Sequence, residues 1–171
     1  KDDPDLLNKE QSEQYRENIS DSAENLLNTM EAMLLWSKEQ MDNFKPNIKT
    51  VPVERLYDQV RDFFGPQEKV NFRFVNEERL EINTDENYLR TIMQNLTANA
   101  LRILKDTPDA SILWEAKKKS GAIELSITDN GPGIGAEQAS RLFNDTVIYN
   151  DKSGFGLQLI RDLAKAVNHK I

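Results

Sequence analysis

Three groups of residues have types and spacings that could bind a ligand. The first is Asp129-Asn130-Gly131-Pro132-Gly133, which directly follows an alternating apolar and polar segment over residues 123–128, typical of a half-buried strand. A carboxylate at the end of a strand can accept a hydrogen bond from the amino group of a flat ligand. Glycines two and four residues further on let the backbone approach that ligand closely. Taken alone, these residues fit an ordinary turn equally well.

The second group lies on a helix predicted over residues 85–105. Asn95, Asn99 and Arg102 are spaced to share one face of this helix, beside its apolar stripe. The stripe consists of Leu89, Ile92, Met93, Leu96, Ala100 and Ile103. Amide oxygens suit a hard cation or water, and a guanidinium suits phosphate. Without other evidence, an ordinary solvated polar face is the simpler explanation of the three.

The third group is Gly154-Phe155-Gly156-Leu157, which opens a predicted helix. The apolar side of that helix is Leu157, Ile160, Leu163, Ala164 and Val167. Glycines at a helix start leave backbone N–H groups free at the positive end of the helix dipole, which suits phosphate. A flexible joint is the alternative. For His169, the only histidine, we expect a solvated or capping role rather than catalysis.

Several further elements must position these groups. The pattern predicts strands over residues 47–51, 70–74 and 80–82, a helix over 53–64 stopped by Gly65-Pro66, and a helix start capped by Thr84. Strands over 112–116 and 123–127 form a predicted hairpin whose turn is Lys117 to Gly121, with three lysines at a solvated tip. A short helix over 136–143 and a polar loop over 144–153 precede the third group.

The first 45 residues form a different kind of segment. No glycine or proline interrupts residues 6–44, and apolar residues recur there at steps of three and four, which predicts one long helix. A helix of that length needs a partner helix, from an upstream segment or a second copy, and a core helix of the same domain is the less favoured alternative. Lys45-Pro46 ends it, so we divide the chain into residues 1–45 and 46–171.

Composition excludes several classes of function. The chain has 171 residues, 38% of them hydrophobic and 30% charged, and its net charge is −7. An acidic balance argues against a nucleic-acid partner held by its phosphates. The absence of cysteine excludes disulfides and thiolate metal sites. No apolar run is long enough to span a membrane, so we expect no direct membrane contact from these residues.

The three groups occur in the order of the N, G1 and G2 boxes of the ATP-binding domain of sensor histidine kinases, which they resemble. Phe143 looks like the F box, which begins a lid over the nucleotide. The resemblance covers residues 47–171 and implies an α+β fold. This is a two-layer α/β sandwich of the type shared with the gyrase B subunit, a heat-shock chaperone ATPase and mismatch-repair ATPases. Residues 1–45 resemble the second helix of the kinases' dimerisation and phosphoacceptor bundle.

The resemblance implies a role for each box. Asp129 would accept a hydrogen bond from the adenine amino group, in a base pocket shaped by Gly131 and Gly133. Asn99 would bind the magnesium ion that bridges the phosphates, with help from Asn95.

At the phosphate end, Arg102 would lie near the terminal phosphate. Backbone N–H groups of Gly154, Gly156 and Leu157 would cradle the phosphates, and Phe143 would begin the lid.

The implied activity is that of a protein-histidine kinase in a two-component phosphorelay. The terminal phosphoryl group of ATP would pass, with Mg²⁺, to a histidine and then to the receiver domain of a response regulator. The resemblance also implies a homodimer through the N-terminal helix and a cytoplasmic location. In the related ATPases a glutamate at the position of Asn95 activates water, and an amide cannot act as that base.

Four departures from the family pattern keep alternatives open. The acceptor histidine is absent, and we expect it upstream of this segment. Gln158 occupies the usual place of a third glycine, and the lid between Phe143 and Gly154 is short and lacks the usual aromatic pattern. The closing strands expected after residue 171 are missing. A degenerate nucleotide-binding or dimerisation scaffold is therefore the alternative, and an ATPase of the wider superfamily is a third reading, disfavoured by Asn95.

Overall fold

The computed structural model describes residues 45–67, 69–135 and 156–171, together with the helical residues Ser12, Tyr15, Arg16, Ile19 and Met30. The chain divides into two units, Lys1–Asp42 and Asn43–Ile171, and every element named below belongs to the second. The long helix over residues 6–44 falls mostly outside the described residues and stays a prediction. The short helix over 136–143 and the loop over 144–153 also lie outside them.

The described part of the second unit contains five strands and three helices. In chain order they are β1 (Ile48–Pro52), α1 (Val53–Phe64), β2 (Val70–Val75), β3 (Glu81–Asp85), α2 (Glu86–Leu104), β4 (Ala110–Lys119), β5 (Ala122–Asp129) and α3 (Gly156–Ala166). Strand β1 pairs antiparallel with β3. Strand β4 lies between β2, which runs parallel to it, and β5, which runs antiparallel. This mixture of helices and sheets confirms the predicted α+β class.

The core lies where α1 and α2 pack on the strands. Alternate residues of β4 are buried, and Trp114 among them is 2% exposed. Its indole Nε1–H donates a hydrogen bond of 3.0 Å to Oγ1 of Thr97 on α2. Tyr57 of α1 is fully buried and donates from its hydroxyl to the carbonyl oxygen of Val75 at 3.2 Å. Each buried polar atom in these two pairs therefore has a partner, as a close-packed interior requires.

Helix α2 begins one residue later than predicted. Asp85, not Thr84, caps it: Oδ1 of Asp85 accepts from the backbone N–H groups of Asn87 at 3.0 Å and Tyr88 at 3.2 Å. Oδ2 accepts from the N–H of Asn47 at 2.8 Å, so the same carboxylate also holds the start of β1. Thr84 is fully buried inside β3 and cannot serve as the cap.

A buried carboxylate joins β1, α1 and α2. Glu86, 7% exposed, pairs with Lys49 at 2.6 Å and with the guanidinium of Arg55, and it accepts a hydrogen bond of 2.8 Å from Gln59. The hydrogen bond from Lys49 is the main reason that the pKa of Glu86 lies below its ordinary value, although burial opposes the shift. The start of α2 is therefore held by charged partners from two other elements.

Two details of the predicted elements are wrong. Ile103 is 43% exposed, and Leu104 is buried in its place. Strand β4 continues through Lys119, so the three lysines belong to the strand and the turn is only Ser120 and Gly121, both at positive φ. Lys119 pairs with Glu124 across the hairpin at 2.7 Å, which supports the end of the β4–β5 ladder, whereas Lys117 pairs with Glu115 on its own strand.

Candidate functional site

Asp129 is the last residue of β5 and pairs in register with Ile112 of β4. It is exposed, and its Oδ1 accepts a hydrogen bond of 2.9 Å from the backbone N–H of Gly131. That bond closes a tight turn of the kind that Asp favours directly after a strand. The β4–β5 ladder thus sets the position of the carboxylate, and Gly131 restrains its orientation.

The two glycines after Asp129 serve different geometric needs. A Cβ atom on Gly131 would lie 2.8 Å from Oδ1 of Asp129 and 3.1 Å from Cγ2 of Ile103, so any side chain there forces a shift. Gly133 has φ of +74°, a conformation that other residues rarely adopt. Gly131 is therefore required by close approach, and Gly133 by its backbone conformation.

The same contacts place the Asp129 loop against the helix that carries the second residue group. Ile103 and Leu104 of α2 both lie against Gly131, and Ile103 directly follows Arg102 in the chain. The C-terminal half of α2 thus adjoins the loop that follows Asp129. The apolar stripe predicts Ile103 in the core, but Ile103 is the last residue of that stripe, where the pattern does not determine burial.

The polar face of α2 contains one direct contact between predicted site residues. The guanidinium Nη2 of Arg102 donates a hydrogen bond of 3.3 Å to Oδ1 of Asn99. Asn99 is half-buried and Arg102 is exposed. Asn95 is also half-buried, but its Nδ2 donates to the carbonyl oxygen of Thr91 at 2.9 Å, which ties its amide to the helix backbone.

The side-chain oxygens on this face suit a cation that takes most of its ligands from a bound phosphate and from water. Among the described residues, no group of three or more His, Cys, Asp or Glu side chains could hold a metal ion. Mg²⁺ is commonly bound by one or two protein oxygens together with substrate phosphates and water. The half-buried amide of Asn99 can supply one such oxygen, so Asn99 fits a cation that arrives with a phosphate ligand.

The third residue group is described only in part. Helix α3 begins at Gly156, with Leu157 half-buried and Leu159, Ile160, Leu163 and Ala164 buried. This helix packs against α2. Gly154 and Phe143 lie outside the described residues, as does the side chain of Gln158, so the predictions made for them stay predictions.

Asn130 is a residue of this loop to which sequence reasoning gave no role. Its side-chain amide hydrogen-bonds to the backbone of Asp109, in the segment that connects α2 to β4, and to the backbone of Ser111 at the start of β4. The only signal in the sequence is an amide side chain placed one residue beyond a strand end. Its partners are 19 and 21 residues away in the chain.

His169 lies at the other end of α2, beyond the reach of the Asp129 loop. Its Nε2 is 3.1 Å from Oγ1 of Thr84, and burial lowers the pKa of the imidazole below its ordinary value. The side chain is half-buried rather than solvated, and it is the backbone N–H of His169, bonded to Ala164 at 2.8 Å, that closes the end of α3. At a rise of about 1.5 Å per residue, the length of α2 separates Thr84 from Ile103 by roughly 25 Å.

The described residues include no helix that is both long and apolar enough to cross a membrane.

Comparison with known proteins identifies the family. The sequence pattern described as histidine kinase-, DNA gyrase B-, and HSP90-like ATPase matches residues 84–171. The C4-dicarboxylate transport sensor protein DctB of Rhizobium meliloti is 33% identical over 76 residues, 44% of this chain and 12% of DctB. The sensor histidine kinase YvrG of Bacillus subtilis is 28% identical over 138 residues, 71% of this chain and 23% of YvrG. The matched segments are thus a quarter or less of these relatives.

Solved structures show the same fold. Full-length ShkA in complex with AMPPNP superposes with a TM-score of 0.66 and 26% identity, over 94% of this chain and 35% of that one. The nucleotide-free catalytic domain of the histidine kinase ThkA superposes with a TM-score of 0.56 and 19% identity, over 70% of this chain and 80% of that one. The chain belongs to the histidine kinase-, DNA gyrase B- and HSP90-like ATPase family and contains the ATP-binding catalytic core of a sensor histidine kinase.

Proposed function

We propose that this chain binds Mg-ATP between the Asp129 loop and the polar face of α2, and that it transfers the terminal phosphoryl group to a histidine of its parent protein. The observation that supports this most is the close approach of Gly131 to Ile103, next to Arg102. One flat group held at Asp129 and one anionic group held at Arg102 would then lie within the length of a single nucleotide.

In this proposal the base lies at the Asp129 loop. Asp129 accepts a hydrogen bond from the adenine amino group, while Gly131 and Gly133 leave room for the ring. The exposed side chain of Ile103 provides apolar surface beside the base.

The phosphates lie along α2 and the start of α3. Oδ1 of Asn99 holds the magnesium ion, Asn95 assists it, and Arg102 turns from Asn99 to the terminal phosphate. Gly154, Gly156 and Leu157 contribute backbone N–H groups at the positive end of the α3 dipole. Phe143 begins the lid. When bound, the metal ion neutralises charge on the phosphates, which together with positioning is most of what phosphoryl transfer requires.

The reaction is a transfer rather than a hydrolysis. The bond between the terminal phosphorus and its bridging oxygen breaks, a bond to an imidazole nitrogen forms, and ADP leaves. Asn95 cannot take a proton from water, which disfavours hydrolysis. The acceptor lies outside these 171 residues, because His169, the only histidine, is half-buried against Thr84. A homodimer through the helix over residues 1–45 and a response-regulator receiver domain complete the proposed relay.

The test uses the parent protein and ATP labelled on its terminal phosphate, with and without magnesium. Acid-labile label on protein and free phosphate are followed together. We expect magnesium-dependent label on protein that is lost in Asn99→Ala and kept in the matched control Asn71→Ala, which alters an exposed amide on β2. Free phosphate without protein label would replace the kinase proposal with an ATPase. Untouched ATP would replace it with a scaffold.

A further inference from the structure

Directly after Asp129, the side chain of Asn130 continues the hydrogen bonding to β4 that the backbone of β5 makes up to that point. The last pair of the β4–β5 ladder is Ile112 with Asp129. One residue further, the backbone N–H of Asn130 donates to the carbonyl oxygen of Ser111 at 3.3 Å, and Oδ1 of Asn130 accepts from the N–H of Ser111 at 2.7 Å. The amide of Asn130 therefore supplies the acceptor that a further strand residue would have supplied.

The donor end of the same amide holds the preceding turn. Nδ2 of Asn130 donates to the carbonyl oxygen of Asp109 at 3.0 Å. Asp109 has φ of +49°, so the chain turns too sharply there to continue β4 as a regular strand. An amide has an acceptor atom and a donor atom at the end of one short side chain. An ionised carboxylate can only accept, and a hydroxyl has a single oxygen for both roles, so neither can bond Ser111 and Asp109 through two separate atoms.

These bonds anchor the residue between Asp129 and Gly131. Asp129 is held on its N-terminal side by the ladder, and its Oδ1 is held by the N–H of Gly131. Without Asn130, the backbone between these two restraints would be tied to β4 by one bond of 3.3 Å only. The direction of the Asp129 carboxylate would then vary with the loop.

We infer that Asn130 is a positioning residue for base recognition: by anchoring the loop to the start of β4 and to the turn before it, it aims the carboxylate of Asp129 at the adenine amino group. This inference rests on the proposed function. Asn130 does not touch the nucleotide in this arrangement. Its effect on binding passes through Asp129, and this distinguishes it from a residue that only stabilises the fold.

The test compares binding of ATP and GTP to the 171-residue chain by calorimetry. We expect Asn130→Ala to weaken ATP binding about tenfold, the loss of roughly one well-oriented hydrogen bond, and to bring the ATP and GTP affinities closer together. In an Asp129→Asn background, the same change should have little further effect, because coupled residues are not additive. Hydrogen exchange at the N–H of Ser111 should accelerate in Asn130→Ala and stay unchanged in Asn83→Ala, which alters an exposed amide on β3 in the other sheet.

Each result has one meaning. An unchanged ratio of ATP to GTP affinity in Asn130→Ala, with ATP binding intact in the unaltered chain and weakened in Asp129→Asn, would overturn the positioning role and leave the proposed function standing. No ATP binding by the unaltered chain would overturn the proposed function and this role together. If Asn130→Ala does not fold, Asn130→Asp replaces it, since that variant loses only the donor to Asp109.

Discussion

Arg102 donates a hydrogen bond of 3.3 Å from Nη2 to Oδ1 of Asn99, which lies one turn earlier on α2. Because a guanidinium can only donate, this bond identifies which end of the Asn99 amide is the oxygen and directs it along the polar face. The proposed metal ligand and the proposed phosphate-binding cation are thus neighbours before any nucleotide binds. When a nucleotide binds with its metal ion, Asn99 can bind the metal ion and Arg102 can bind a phosphate. Each side chain then gains a new partner for the one it gives up.

We expect Arg102→Met to weaken ATP binding about three- to tenfold and to make that binding less sensitive to salt. An exposed cation contributes modestly and is screened by ions, so the loss should be largest at low ionic strength. Calorimetry at two salt concentrations measures both effects. Arg73→Met, which removes an exposed arginine from β2, is the matched control. Equal salt dependence in the unaltered chain and Arg102→Met would argue against a phosphate contact.

We expect Gly131→Ala to weaken ATP binding by tenfold or more, because the added methyl group would lie 2.8 Å from Oδ1 of Asp129 and 3.1 Å from Ile103. Either the carboxylate or the loop must move. Gly135→Ala is the control, since a Cβ at that position meets nothing within 4 Å. Affinity is measured by calorimetry and folding by circular dichroism. Similar ATP affinities for the two variants would show that the close approach at Gly131 has no part in binding.

Elements that end at glycine and proline, or that show regular alternation of apolar residues, could be predicted from the sequence. Gly65-Pro66 ended α1 as expected, and the alternation of Ile112, Trp114 and Ala116 identified β4. The start of α2 was harder to predict, because Thr84 and Asp85 are both good N-cap residues. Only the pairing of Ile48 with Asp85, 37 residues apart, keeps Thr84 within the strand. Long-range strand pairing, which no local pattern contains, decided the boundary.

In the candidate site, too, local sequence motifs could be predicted and long-range contacts could not. The order of the three boxes was enough to indicate a nucleotide-binding family, and the matching pattern over residues 84–171 confirmed it. The roles of Asn95, Asn99, Arg102 and Asp129 stay predictions. The contact of Ile103 with Gly131 and the bonds of Asn130 could not be foreseen, because each depends on how two separate elements meet. Tertiary geometry, rather than residue type, gives these side chains their roles.

We expect Thr97→Val to destabilise the fold by roughly 1–3 kcal/mol, because it leaves the buried Nε1–H of Trp114 without its acceptor while preserving side-chain shape. Urea unfolding measures the change as a shift in midpoint. Thr128→Val, on the exposed side of β5, is the matched control. An equal midpoint for the two variants would contradict the structural importance of the Trp114–Thr97 bond.

We expect His169 to make the free energy of unfolding depend on pH as the pH falls through the ordinary pKa of histidine, about 6.5. Burial lowers the pKa of its imidazole below 6.5 in the folded chain, so the unfolded chain takes up a proton first as the pH falls. The free energy of unfolding should therefore be highest above the unfolded pKa and should decline as the pH drops towards the folded pKa. His169→Gln, which keeps a polar group beside Thr84 but does not titrate there, should lack this decline.

The measurement is urea unfolding of both proteins at several pH values. The useful quantity is the difference between them, because titration of the carboxylates then largely cancels. A difference that is constant from pH 8 to pH 5 would contradict the burial of His169.

The parallel pairing of β2 with β4 has a consequence for synthesis on the ribosome. Val70 pairs with Ala110, 40 residues later, whereas β4 and β5 are joined by the two-residue turn at Ser120 and Gly121. Strand β2, with Phe72 and Phe74 on it, is made well before its partner and must wait with both edges open until α2 and β4 emerge. Nascent chains from which β2 but not yet β4 has emerged should therefore be the ones most in need of a chaperone, because open strand edges and exposed aromatic side chains promote aggregation.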